Sequence, residues 1–136
     1  MRFDPTPNQA RQDLCDLLQT VGITAHNGTP PQIVPPCVIT GPGNPYLTPA
    51  TFGQWTIRHK LVVVAAHGTN DAQGEALDAT LIEVLSALDA AGHEPLAVTE
   101  PGRLDTGHLA VDITLDTYTD VVRPDDPVTH YVSPEV

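Results

Sequence analysis

Trp55-Thr56-Ile57-Arg58-His59-Lys60-Leu61-Val62-Val63-Val64-Ala65-Ala66 is the stretch that decides the fold. Side chains alternate across an extended chain, so Trp55, Ile57, His59 and Leu61 share one face and Thr56, Arg58 and Lys60 the other. From Leu61 onward both faces are apolar. The spacing predicts a long strand that begins half-solvated and ends covered on both sides. A second run matches it. Leu109, Val111, Ile113, Leu115 and Thr117 alternate with Ala110, Asp112, Thr114, Asp116 and Tyr118, which predicts a one-sided antiparallel strand running to Val122.

Two helices are signalled on either side of the first strand. Thr6 is placed to cap a helix with Pro7 at its first position and Gln9 completing a capping box. Leu14, Leu17, Leu18 and Val21 follow at helical spacing, and Gly22 can end the helix, giving a span of 7–21. The second helix, 70–91, has Asn70 as its expected cap, with Gln73 three residues on and Asp71 and Glu75 in the first turn, where the helix dipole favours acids. Leu77, Leu81, Val84, Leu85 and Leu88 form its apolar stripe, and Gly92 can close it. Burying those five side chains is worth at most roughly 8–15 kcal/mol gross.

Between the first helix and the first long strand lie Ile23-Thr24-Ala25-His26, expected to be extended, and the turn pair Asn27-Gly28. Pro30 to Pro49 then contains seven prolines. That stretch can be neither helix nor an uninterrupted central strand. Cys37-Val38-Ile39 reads as a short strand within it, and Gly41-Pro42-Gly43-Asn44-Pro45 as a long loop. Leu96-Ala97-Val98 reads as another short strand, and Pro101-Gly102 as a turn. The order predicts one α+β domain over residues 1–122: a mainly antiparallel or mixed sheet of four to five strands, two packed helices and a long hairpin-like loop. Residues 123–136, with three prolines, are expected to be a flexible tail or docking arm.

Length matters here. A strand of 12–14 residues spans about 40–45 Å, whereas a domain of this size has a radius of gyration near 14 Å, about 37 Å across. Both long strands should reach or overrun the edge of the core and leave backbone groups for a neighbour to cover, unless each run breaks at a bulge or bend and stays within the domain.

Composition excludes several function classes. Six Lys and Arg against seventeen Asp and Glu give a formal charge of −11, the wrong sign for a nucleic-acid surface. No apolar run reaches the roughly 20 residues that cross a bilayer, and no secretory h-region is visible, so a cytoplasmic setting is expected. Cys15 and Cys37 have no metal or disulfide spacing and read as small buried thiols. The histidines, His26, His59, His67, His93, His108 and His130, show no ligand spacing, and no nucleophile elbow, P-loop or dinucleotide fingerprint occurs. No catalytic residue, metal site or cofactor is therefore expected. The exception is Val62-Val63-Val64-Ala65-Ala66-His67-Gly68-Thr69, which resembles the strand–His–Gly–Ser/Thr element of the cobalt and iron chelatases acting on sirohydrochlorin, where the His binds the metal. A small chelatase-like enzyme is the alternative this implies.

Taken in order, the elements from Pro7 to Val122 resemble the tail terminator proteins of long-tailed bacteriophages, particularly those of actinobacterial phages. The features are the helix ending in Val21-Gly22, Pro35-Pro36-Cys37-Val38-Ile39, and the Pro45-Tyr46 and Phe52 loop before Trp55-Thr56-Ile57 and Leu61-Val62-Val63-Val64. They continue with Asp71-x-Gln73, Leu77-Asp78 and Val84, and end with Leu109-Ala110-Val111-Asp112-Ile113. The resemblance implies a structural virion protein, not an enzyme. Such proteins form a homo-oligomeric ring, usually of six subunits, that caps the tail tube at its head-proximal end, stops its polymerisation and offers a surface for head–tail joining. The implied partners are the major tail tube protein and a head-completion or connector protein, with the genome passing through unbound and no membrane involved. A head–tail neck connector is the alternative from the same class. Tyr46, Leu47, Phe52 and Trp55 are the expected contacts with a neighbouring subunit or the tube, with folding of the loop onto its own sheet as the other reading of Tyr46, Leu47 and Phe52. Asp112 and Asp116, on the polar face of the last strand, are the expected channel-lining acids, with a solvated outer face as the other reading.

Overall fold

A computed structural model describes residues 1–66 and 70–123. The chain is α+β: two helices lie on a seven-stranded mixed sheet. The strands are β1 (Arg2–Asp4), β2 (Ala25–Asn27), β3 (Cys37–Pro49), β4 (Gln54–Val64), β5 (Ala97–Val98), β6 (Gly102–Arg103) and β7 (Leu109–Val122), and the helices are α1 (Pro7–Thr20) and α2 (Asn70–Ala90). Five strands lie along one path in the order β1-β7-β4-β3-β2, and the two-residue strands β5 and β6 also pair with β7. β2 runs parallel to β3, and every other pairing is antiparallel.

The two long strands are where alternation placed them and pair without interruption from Gln54↔Asp120 to Val64↔Ala110. Their odd-numbered inner face carries Ile57, His59, Leu61 and Val63 against Val111, Ile113 and Leu115, all nearly or fully buried. The helices cover that face with Leu14, Leu18, Leu77, Val84 and Leu88, while Leu17, Leu81 and Leu85 pack at the margin. On the opposite face a small cluster of Cys37, Ile39, Val64 and Ala110 is covered by Ile33 and Leu104, which explains why the alternation ends after Leu61. Cys15 and Cys37 are both buried and free, and burial pushes both thiols up.

Three local expectations are corrected, and one strand lies where none was expected. Thr6 caps α1, its Oγ1 accepting from the Gln9 backbone N–H at 3.1 Å, but the Gln9 side chain donates to Asp13 instead of closing a capping box. β3 extends through the Pro-rich stretch to Pro49, where only a short strand followed by a loop was expected. β2 pairs only with Val38 to Thr40, so beyond Thr40 β3 is an edge strand whose prolines cost no ladder bond. Its register shifts between Pro42 and Leu47, so the strand is interrupted after all. Gly43 lies in that shift, and a Cβ there would fall 2.4 Å from Arg58 Cγ and 3.0 Å from the Arg58 carbonyl oxygen. Arg2–Asp4 forms an edge strand on Asp120–Val122, and Gly102–Arg103 pairs with Leu109–Ala110 where only a turn was expected. Three residues are too few for alternation to register, so neither strand has a sequence signal.

Both helices end as expected at left-handed glycines, Gly22 with φ 86° and Gly92 with φ 86°. The Asn70 cap, the first-turn Asp71 contribution and the His67-Gly68-Thr69 element lie outside the described residues, as does 124–136 of the expected tail.

Candidate assembly surface

The helices cover only part of the sheet. Along β4, residues Ile57 to Val64 are mostly buried, while Gln54, Trp55 and Thr56 are half-exposed, and β3 is open to solvent or half-buried from Gly41 onward. β3, β4 and β7 reach a blade-like end closed at its tip by Ala50 to Gly53, where exposure rises and β1 lies along Asp120 to Val122. Hydrogen bonds shape that tip. Ala50 N–H donates to the Gln54 carbonyl at 3.1 Å, Gln54 N–H to the Thr51 carbonyl at 2.9 Å, and Val121 N–H to the Gly53 carbonyl at 2.9 Å. Gly53 takes φ 82°, which a side chain would resist.

The four residues expected at an interface are placed differently from one another. Phe52 stands on the tip with a relative exposure of 106%, touching nothing that would bury it. Trp55 is half-buried, its ring edge-on to Phe3 at 5.8 Å between centroids. Leu47 is half-buried opposite Ile57. Tyr46 turns back to the chain's own first helix: its hydroxyl accepts from Arg11 Nη1 at 2.7 Å, and the guanidinium lies 5.7 Å from the ring centre. So Phe52 and Trp55 mark one end of the molecule, and Tyr46 fastens the blade to α1.

Asp112 and Asp116 share the sheet face opposite the helices. Asp116 is committed there. Arg58 donates to both its oxygens, Nε at 2.9 Å and Nη2 at 3.1 Å, and this bidentate bond pushes the Arg58 pKa up. Asp112 makes no such pair in the ion pairs seen among the described residues; its backbone N–H donates to Thr99 Oγ1 at 3.0 Å.

One inward residue went unused in the sequence reading beyond its face assignment. His59 is fully buried, with Nε2 2.7 Å from Thr117 Oγ1 and no partner for Nδ1. Burial, with smaller repulsion from Arg11 and His93 outweighing attraction by Asp116, lowers its pKa to about 4, so the ring is neutral near pH 7.

Among the described residues the sheet has two open margins. One is β3 beyond Thr40. The other is a gap in the outer edge of β7. Thr114 and Asp112 accept from Leu96 N–H and Thr99 N–H, so even-numbered residues of β7 turn their backbone groups outward. On this side β5 engages Ile113 and Thr114 and β1 engages Asp120 to Val122, so residues 115–119, paired with β4 on their inner side, have no strand on their outer side among the described residues. Beside this gap lies a hollow of about 380 Å³ between α1, the end of α2 and β7, lined by Ala10, Leu14, Leu17, Ala91, Thr117 and Tyr118 among others.

Among the described residues no group of three or more His, Cys, Asp or Glu is close enough to hold a metal, and no helix is long and apolar enough to cross a membrane. No protein-family model matches the chain, and no curated protein matches its sequence.

Proposed function

We propose that the chain is a structural virion protein that forms a ring, of six subunits in the family it resembles, on the head-proximal end of a phage tail tube. The ring stops tube polymerisation and offers the surface on which the head is joined. The observation that carries this reading is the blade: three long strands lead to a tip where exposure rises, two sheet margins are open among the described residues, and a fully exposed Phe52 stands at the tip. Open strand edges pair with other chains unless they are blocked. In such a ring the sheet face with Asp112 and Asp116 lines the channel, and its acidity keeps the passing genome from sticking. Asp112 contributes more than Asp116 there, because Arg58 offsets the latter.

Tails assembled without this protein test the proposal. Overlong, headless tubes are the expected result. Tails of normal length that fail to join heads would move the protein to the neck, as a connector. Particle mass in solution then gives the subunit count, and a ring with a basic or neutral lumen would overturn the channel assignment.

A further inference from the structure

We infer that the ring closes by seating Phe52 of one subunit in the hollow beside β7 of the next. This rests on the ring reading and names the two surfaces that meet. A ring requires a head-to-tail contact between different patches on each subunit. The knob and the hollow are different patches: the first caps the hairpin between β3 and β4, and the second lies between both helices and β7.

Size, polarity and charge agree. An apolar cavity of about 150 Å³ holds a benzene ring, so a hollow of about 380 Å³ has room for Phe52 and the residues flanking it. Its walls are chiefly apolar, from Ala10, Leu14, Leu17 and Ala91, and β7 borders it at Thr117 and Tyr118. The gap in β7 adjoins it. Residues 115–119 span about 16 Å at about 3.3 Å per residue, and parity turns the backbone N–H and C=O groups of Asp116 and Tyr118 outward there. The tip backbone around Phe52 can meet those groups as it arrives, as an added strand does at a free sheet edge. Charge does not oppose the approach. Exposed Arg2 and Arg123 stand at the tip end of the molecule against Asp4 and Asp120, so that end is close to neutral in a chain of formal charge −11. Asp13 and Glu94 border the hollow and its neighbouring cleft, and face those two cations on docking.

Cysteine pairs test the seating. The native Cys15 and Cys37 are buried and do not compete. Full-length Phe52→Cys is mixed with Ala91→Cys, and separately with Asp13→Cys on the other wall, then oxidised, with circular dichroism checking that each variant is folded. Cross-linking is expected between Phe52→Cys and either acceptor, and not in Phe52→Cys alone. Phe52→Ala should weaken self-association at least about tenfold, as loss of a central aromatic anchor does. Wild-type rings with no cross-link to either acceptor would overturn the seating and leave the ring reading standing. A wild-type chain that stays monomeric at every concentration and forms no cross-link would overturn the seating as well. Cross-linking in a protein whose removal changes neither tail length nor head joining would keep the seating and overturn the tail-end role.

Discussion

The same two strands pass through two different environments. From Ile57 to Val64, β4 is pressed between helices and a second apolar cluster, and its side chains are buried. From Gln54 to Thr56, the same strand keeps its alternation and its pairing with β7 but is half-exposed, with only Phe3 of β1 seen against Trp55. Hydrogen bonding is continuous across the boundary, and only the hydrophobic cover changes. The covered half therefore determines whether the chain folds, and the uncovered half is free to serve a partner.

That contrast is sharpest in a comparison of stabilities. Leu61→Ala, at the centre of the covered half, should lower unfolding free energy by about 2–5 kcal/mol in urea melts, because it removes transfer energy and leaves a cavity. A loss under about 1 kcal/mol would mean the helices do not hold that face tightly.

His59 lies where the covered half ends. Its folded pKa of about 4 is below the ordinary 6.5, so between those values the unfolded chain binds the extra proton. Stability is then full above about pH 6.5 and falls as the pH drops towards 4, by about 3 kcal/mol in all from this group. His59→Leu should flatten that part of the pH profile. An unchanged slope would show that the ring is protonated at little cost in the folded state.

Smaller effects belong to the blade. Gly43→Ala forces a Cβ onto the Arg58 main chain and should cost about 1–3 kcal/mol by overpacking. Arg58→Ala should cost less than Gly43→Ala, since it breaks a solvent-accessible bidentate pair with Asp116. Phe52→Ser closes the series. The monomer should change by under about 0.5 kcal/mol, within the range of free surface positions, while assembly is lost. A clear fall in monomer stability with assembly intact would erase the distinction between the two halves.

Much of this architecture is legible from residue order. Alternation located β4 and β7, and capping residues and helical spacing located α1 and α2 to within a residue or two, because those signals are local. β1 and β6 were not legible, since two or three residues acquire strand geometry only by lying along β7. β3 was legible only in part. Its prolines excluded a central strand, but whether an edge was available depended on how short β2 turned out to be. The candidate surface divided in the same way. Tyr46 and Phe52 are both aromatic residues near the same prolines, yet one reaches Arg11 on α1 and the other reaches nothing. Asp112 and Asp116 share a face by parity alone, but the Arg58 partner of Asp116 follows from the register of β4 on β7.

By itself, the sequence determined the α+β class, the two long strands, their inner and outer faces and the acidic balance, because period and composition act over a few neighbouring residues. Tertiary structure alone decided how far the helices reach along those strands, which edges stay open, and that Phe52 is left in water. Those outcomes depend on distances between segments far apart in the chain, and no local pattern encodes them.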